Sequence, residues 1–260
     1  MFRRPRQTEP DRLSMRLCKT LQPLTVIPWG ALAMWYLGVP IAVGAPMVVV
    51  EDDDYADAIE RLESAGFGRS VPKRDPPPEI MEDHPNPEQA LEEINAGYKR
   101  LDQSCAVFDY PKGDPAEKAL QVYVIPNSFA HVFQEDIPHS STRIGDTAPT
   151  TRFQSYGSLY YPLEQALVES FVKAAIDEET DAGFSAWGES LRSWVSLMTG
   201  YLGVDNDVLD LCPDKQAVDW YSHNFGRIHE ANFGPIDRRI SKRLGSGKEM
   251  PIDMRGIPLS

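Results

Sequence analysis

The chain has 260 residues, of which 42% are hydrophobic and 25% are charged, a balance that is ordinary for a globular protein with a sizeable core. The formal net charge is −13, but residues 1–20 hold six basic and two acidic groups, and residues 236–260 hold six and three. The body between them therefore carries about −20. Such an acidic body argues against broad binding to duplex DNA, whose phosphates attract clustered lysine and arginine.

The cysteines indicate the redox compartment. Cys18, Cys105 and Cys212 lie far apart in the sequence. An odd and sparse set is not a disulfide framework, so we expect a reducing compartment and a cytoplasmic location. The first residues lack a compact apolar segment followed by a small-residue cleavage site, so a cleaved secretory signal is not expected.

Residues 20–50 contain no formally charged residue, and six basic residues precede them. A stretch of this length could cross a bilayer with a positive-inside anchor, which is one alternative. Four prolines and three glycines interrupt it, however, and a proline in a helix interior costs about 3 kcal/mol. We therefore expect this run to fold back as packed protein interior, and a membrane contact is the disfavoured alternative.

The first half of the chain predicts alternating helices and strands. Residues 11–22 have the apolar spacing of an amphipathic helix, and Asp53 or Asp54 is placed to cap a helix that ends near Gly66. The predicted elements are a helix over 11–22, a buried segment over 24–27, a helix over 29–37, a strand over 47–50 and a helix from 53 or 54 to 65.

The rest of the chain becomes helical after a long polar loop. In order, the sequence predicts a proline-rich linker over 69–87, a helix over 86–101 with Asn86 as its cap, strands over 106–108 and 119–125, a short helix over 128–133, a loop over 134–158, and helices over 163–177, 185–202 and 215–223. Mixed elements followed by helices predict an α+β fold. We expect a basic segment over 1–20, an α/β region over 21–135, a long loop over 136–160, a helical region over 161–235 and a basic tail over 236–260.

An acidic cluster follows the predicted strand over 47–50, at the kind of strand end where α/β proteins bind ligands. If Glu51, Asp52, Asp53 and Asp54 continue the extended strand, carboxylates two residues apart face the same side and could share Mg²⁺. Magnesium is therefore the expected cofactor. The alternative is a helix cap with solvated acids in the first turn, to which Asp57 belongs.

A second candidate site is Trp29-Gly30 before the predicted helix, because a glycine at a helix start lets a phosphate approach exposed amides. A core tryptophan after a chain break is the equally favoured alternative. His223 and His229 have the spacing of half a zinc site but lack a cysteine pair. The segment 245–248 lacks the leading glycine and the following Ser or Thr of a phosphate loop, so we interpret it as part of a flexible tail.

Several segments together resemble a group of fungal proteins with a nucleotidyltransferase-like fold. They are Ile27-Pro28-Trp29-Gly30-Ala31-Leu32-Ala33, Tyr36-Leu37-Gly38-Val39-Pro40, Val48-Val49-Val50 with the helix that leads to Ala65-Gly66-Phe67, Val122-Tyr123-Val124-Ile125-Pro126-Asn127-Ser128-Phe129, Tyr160-Tyr161-Pro162-Leu163 and the helix from Trp187 to Trp194. The resemblance implies a mixed sheet with a glycine turn beside a strand whose two aspartates hold Mg²⁺ and orient a nucleoside triphosphate. Here Ala31 follows Gly30 where the family has Ser or Gly, and Gly44-Ala45-Pro46 stands where the first aspartate is expected. Asp52 and Asp54 are the acids that could substitute.

The sequence favours the first of three functions, a transferase-type enzyme, and the other two stay open as alternatives. The first is a transferase-type enzyme of fungal specialised metabolism, with Asp53, Asp54 and Asp57 catalytic, Trp29 and Gly30 binding substrate, and Glu51, Asp52 and Asp54 binding metal. The second is similar to the fungal arginine-containing cyclodipeptide synthases, which use aminoacyl-tRNA and have an acidic DDxxE-like motif. Asp53-Asp54-Tyr55-Ala56-Asp57 resembles that motif but ends in Asp. The third is a catalytically inactive binding or interaction module.

Overall fold

The computed structural model describes residues 4–74, 85–113, 121–132, 152–205 and 207–225. The helices are α1 Arg12–Leu21, α2 Ala31–Tyr36, α3 Tyr55–Ser64, α4 Pro87–Ala96, α5 Lys99–Ser104, α6 Asn127–Ala130, α7 Glu164–Ala182, α8 Ala186–Leu202 and α9 Lys215–Phe225. The strands are β1 Ile27–Trp29, β2 Met47–Val50, β3 Gly68–Ser70, β4 Ala106–Asp109, β5 Gln121–Pro126, β6 Phe153–Tyr156 and β7 Leu159–Pro162.

The first five strands form one mixed sheet in the order β1-β2-β5-β4-β3. β2 and β5 are parallel, and the other neighbouring pairs are antiparallel. β6 and β7 form a separate antiparallel hairpin, which meets the sheet beside β1 through a bridge between Val26 and Leu159. This architecture of a mixed sheet with helices, followed by further helices, confirms the predicted α+β class.

Side-chain caps begin three of the helices where the sequence predicts them. The carboxylate of Asp11 accepts a hydrogen bond from the Ser14 amide at the start of α1. Asn86 caps α4, whose first residue is Pro87, and Ser185 accepts from the Gly188 amide at the start of α8. Each cap satisfies a backbone donor that has no partner within the helix.

Four secondary-structure predictions are corrected. The helix predicted over 29–37 begins only at Ala31, because Ile27–Trp29 is a strand and the chain turns at Gly30 before α2. The predicted helix over 86–101 is two helices, α4 and α5. The linker predicted from 69 overlaps β3, and the loop predicted to run to 158 contains β6 and the turn that leads to β7. Both missed elements are short or lie in polar sequence, so their strand character depends on their partners and not on local periodicity.

The hydrophobic core runs without a break from the sheet into the C-terminal helices. The uncharged run folds back into it as predicted, through the end of α1, then β1, α2 and β2, and β2 is buried at every residue. Trp29 on β1 packs against Phe171 on α7 and Trp194 on α8, at ring-centroid distances of 5.5 and 5.8 Å. The predicted boundaries between regions stay predictions, and the predicted basic tail, most of the proline-rich linker and much of the long loop lie outside the described residues.

Candidate functional site

The carboxyl ends of the parallel strands β2 and β5 bring two segments of polar residues together. Val50 pairs with Pro126 at the last position of the ladder, so the acidic segment from Glu51 and the start of α6 leave the sheet at the same edge. Ligand sites of α/β sheets commonly lie at this kind of edge. The acidic segment therefore follows the carboxyl end of β2, where the sequence predicts it, and its role as a site stays a prediction.

The acidic segment is a turn, which corrects the expectation that it continues the strand. The Asp54 amide donates to the Glu51 carbonyl at 3.1 Å, and the Tyr55 amide donates to the Asp52 carbonyl at 3.3 Å. In a tight turn the alternation of a strand is lost, so side chains two residues apart need not face the same side. The geometric argument for two carboxylate pairs that share Mg²⁺ therefore no longer holds.

Several of these acids already have partners within the protein. Asp52 accepts hydrogen bonds from the amide of Ser128, at 3.1 Å, and from its hydroxyl, at 2.7 Å. Asp57 forms an ion pair of 2.9 Å with Arg61, one helical turn further along α3. Asp54 occupies the N-cap position of α3 without a side-chain cap bond, Asp53 is exposed, and Glu51 is partly buried.

Trp29, a predicted substrate-binding residue, is fully buried. Its indole nitrogen donates to the hydroxyl of Ser170 on α7 at 2.7 Å, and that hydroxyl in turn donates to the carbonyl of Ala130. Trp29 therefore joins β1 to α7 within the core. In this conformation it has no surface through which to contact a substrate.

Gly30, the other predicted substrate-binding residue, is closed off by a tryptophan. Its φ of 61° and ψ of −139° are a combination nearly restricted to glycine. A Cβ at this position would lie 2.9 Å from Cη2 of Trp194 and 3.2 Å from the sulfur of Met47. Gly30 is itself buried, so in this conformation the glycine turn is not open to a phosphate.

The two predicted halves of the site lie at opposite ends of β2. β1 and β2 are antiparallel, with Trp29 opposite Met47, so Gly30 adjoins the first residue of β2. The acidic turn follows the last residue, Val50, and the strand between them rises about 10 Å at 3.3 Å per residue. The structure therefore does not bring Gly30 together with the predicted metal ligands.

Sequence reasoning missed a histidine at the same sheet edge as the acidic turn. His131 ends α6 in a left-handed conformation, with φ of 54°, and its Nε2 lies 2.7 Å from Oδ2 of Asp177 on α7. Asp177 also faces Arg100 at 3.6 Å. The pairing joins residues 46 positions apart, so no local motif could have found it.

The guanidinium of Arg100 is the charged centre beside this histidine. It lies over the ring of Phe129 at 4.7 Å, within ion-pair distance of Asp177, Glu178 and Asp181. Glu178 is almost fully buried, and Ser185 donates to its Oε1 at 2.6 Å. This network fixes α5 and α6 against α7. We call Asp52, Ser128, His131 and Asp177 the strand-end cluster.

The other predicted candidates do not add ligands to this cluster. His223 is exposed on α9, and His229 and residues 245–248 lie outside the described residues. Cys212 is buried, which raises the pKa of its thiol, and it lies beside Glu169. Among the described residues no group of three or more His, Cys, Asp or Glu side chains is arranged to hold a metal ion.

Comparison of the chain with family models, with curated proteins and with solved structures found no match. The resemblance to nucleotidyltransferase-like proteins therefore stays a prediction. In the described part of the chain, no helix combines the length and apolar character needed to cross a membrane.

Proposed function

We propose that this chain is a binding module on a nucleotidyltransferase-like fold, that it does not transfer nucleotides, and that its ligand binds at the strand-end cluster. The observation that carries the proposal is the separation of Gly30 from the acidic turn along β2. Nucleotidyl transfer needs the phosphates and the metal to meet at one point, and here their expected binding elements lie at opposite ends of a strand.

The residues at the acidic turn also do not fit a magnesium site of the predicted kind. Mg²⁺ needs near-octahedral oxygen ligands, usually one or two carboxylates together with substrate phosphates. Asp52 is engaged by Ser128 and Asp57 by Arg61, so a cation would compete with bonds that already exist. The expected magnesium is therefore not part of the proposed function.

The polar groups of the strand-end cluster support ligand binding there. The imidazole of His131, oriented by Asp177, and the hydroxyl of Ser128, oriented by Asp52, lie three residues apart in the chain, beside the carboxyl ends of two buried strands. Such a pair can donate and accept hydrogen bonds to a polar small molecule. We further propose a cytoplasmic location, which fits the free thiols of Cys18, Cys105 and Cys212, and no interaction with duplex DNA or membrane.

A transferase-type enzyme is the second candidate, with the aminoacyl-tRNA-dependent cyclodipeptide synthase as one form of it. Two observations favour it. His131 and Asp177 have the arrangement in which a carboxylate orients a general base. Asp54 and Asp57 lie three residues apart at the start of α3, both partly buried, as neighbours on one helix face would.

Native mass spectrometry and metabolite profiling distinguish the two candidates. The host expresses the full chain, His131→Gln, Asp53→Asn/Asp54→Asn, or the control variants His223→Gln and Glu60→Gln/Glu63→Gln. If the chain is a binding module, a small molecule should co-purify with the wild type and with His223→Gln but not with His131→Gln. The host should then contain no new compound. A new compound that the Asp53→Asn/Asp54→Asn variant abolishes, while the Glu60/Glu63 control retains it, would instead establish the enzyme.

A further inference from the structure

Residues 4–11, which we call the N-terminal strap, lie in a groove between the end of α2 and the β6–β7 hairpin. The Gln7 amide donates to the Tyr36 carbonyl at 2.8 Å, and the Tyr156 hydroxyl donates to the Thr8 carbonyl at 2.9 Å. No strap residue is buried. The strap is therefore held by main-chain and surface contacts and, where it enters α1, by Asp11, whose carboxylate accepts hydrogen bonds from the hydroxyl of the buried Tyr161 and from the Ser14 amide.

One charged contact fixes the register of the strap. The guanidinium of Arg6 lies 2.7 Å from both carboxylate oxygens of Glu164, the first residue of α7. Both side chains are partly exposed, at 39% and 24%. Exposed ion pairs are weak but directional, so this contact selects an arginine at one position without holding the strap firmly.

The floor of the groove is built to accept a backbone. Gly38 has a φ of 97°, and a Cβ there would clash with the Arg4 carbonyl oxygen. Beneath the strap, Tyr36 and Tyr161 are stacked at 3.8 Å, and both are buried. Gly38 and the two stacked rings thus leave room for an extended main chain, and Glu164 binds the one arginine.

We propose that this groove is a docking site for an extended, arginine-bearing peptide segment of a partner, and that the strap is its occupant within the chain. Release of the strap exposes the Tyr36 carbonyl, the Tyr156 hydroxyl and the Glu164 carboxylate together. These groups recognise a main-chain donor, a main-chain acceptor and a guanidinium, which a partner segment can supply equally well. The carboxylate of Glu164 favours a segment that carries an arginine opposite it.

The test measures binding of a capped, fluorescent peptide with the sequence of residues 4–11 to the full chain by fluorescence anisotropy. In the wild-type chain the strap competes at high effective concentration, so the peptide binds weakly. The variant Arg6→Ala/Gln7→Pro removes the ion pair and the main-chain donor from the strap alone. We expect it to bind the peptide at least about tenfold more tightly than the wild type, as one lost hydrogen bond and a weak ion pair allow.

Substitutions on the groove side and in the peptide keep the proposal falsifiable. Glu164→Gln, added to the strap variant, is expected to weaken peptide binding several-fold, whereas Glu92→Gln on α4 leaves it unchanged. A peptide with Ala at position 6 is expected to bind more weakly by the same factor as the wild-type peptide does to the Glu164→Gln variant. If the strap variant does not fold, Arg6→Ala alone replaces it. A folded strap variant that binds no more tightly than wild type, or binding that is indifferent to Glu164→Gln, overturns the proposal.

Discussion

Replacing Gly30 by alanine tests whether the glycine turn is closed by Trp194. The backbone at Gly30 has a φ of 61°, and a residue with a Cβ held in such a region costs about 1–3 kcal/mol. The added methyl would also lie 2.9 Å from Trp194, and overpacking of a filled site costs about 1–3 kcal/mol more. We therefore expect Gly30→Ala to lower the free energy of unfolding by about 2–6 kcal/mol.

A double-mutant cycle separates the two contributions. Trp194→Leu removes the ring that the new methyl meets, but it leaves the backbone conformation of residue 30 unchanged. Gly30→Ala should therefore cost about 1–2 kcal/mol less in the Trp194→Leu background than in the wild type, the size of coupling expected for residues in contact. Urea unfolding followed by circular dichroism gives all four free energies.

Gly200 provides the matched control for this cycle. It lies within α8, and a Cβ there meets no atom within 4 Å. The same chemical change, Gly200→Ala, should therefore raise the free energy of unfolding by about 0.5–1 kcal/mol. If Gly30→Ala leaves stability within about 0.5 kcal/mol of the wild type, or if the cycle shows no coupling, Trp194 does not fill the turn as described.

Three further substitutions test the contacts around the core and the candidate site by chemical unfolding. Ser170→Ala leaves a buried indole N–H without an acceptor and should cost about 1–3 kcal/mol, while exposed Ser196→Ala stays near neutral; equal effects would contradict the buried bond. Glu169→Gln should cost about 3–5 kcal/mol near neutral pH, because it breaks a buried carboxylate that two cations share. Burial raises the pKa of Glu169, but the two cations outweigh burial, so the pKa in the folded protein is lowered. The extra unfolding free energy of the wild type over Glu169→Gln is therefore fully present above the ordinary carboxylate pKa and should shrink as the pH falls through the lowered pKa of the folded state. A difference that grows in acid would contradict the pairing. Asp52→Ala should lower the free energy of unfolding by roughly 0.5–2 kcal/mol, and Asp53→Ala should leave it nearly unchanged. Equal losses would show that the hydrogen bond to Ser128 does not contribute to stability.

The sequence predicts the elements whose signals are local. Asn86 and Ser185 are capping residues directly before apolar helical spacing, and both helices begin there. The β-branched residues that end β2 before the acids predict a short strand, which the structure contains. Where neighbouring residues alone determine a helix start, a strand end or a turn, local physical chemistry is sufficient to predict it.

The candidate site depends on contacts that adjacent residues do not encode. The sequence predicts that Trp29 starts a helix, but its pairing with Met47 and its hydrogen bond to Ser170 make it a core residue of a strand. The antiparallel pairing of β1 and β2, which separates Gly30 from the acids, arises from the short return through α2. The pair of His131 and Asp177 likewise forms only when α6 packs on α7.

Calorimetric titration of the full chain with the four nucleoside triphosphates, each with Mg²⁺, tests the separation of Gly30 from the acidic turn most directly. With the glycine turn filled by Trp194 and the acids at the far end of β2, we expect no saturable heat up to about 1 mM ligand, which corresponds to a binding free energy weaker than about −4.1 kcal/mol. Saturable binding in the micromolar range that Gly30→Ala and Asp52→Asn both weaken would mean that the two ends act as one nucleotide site.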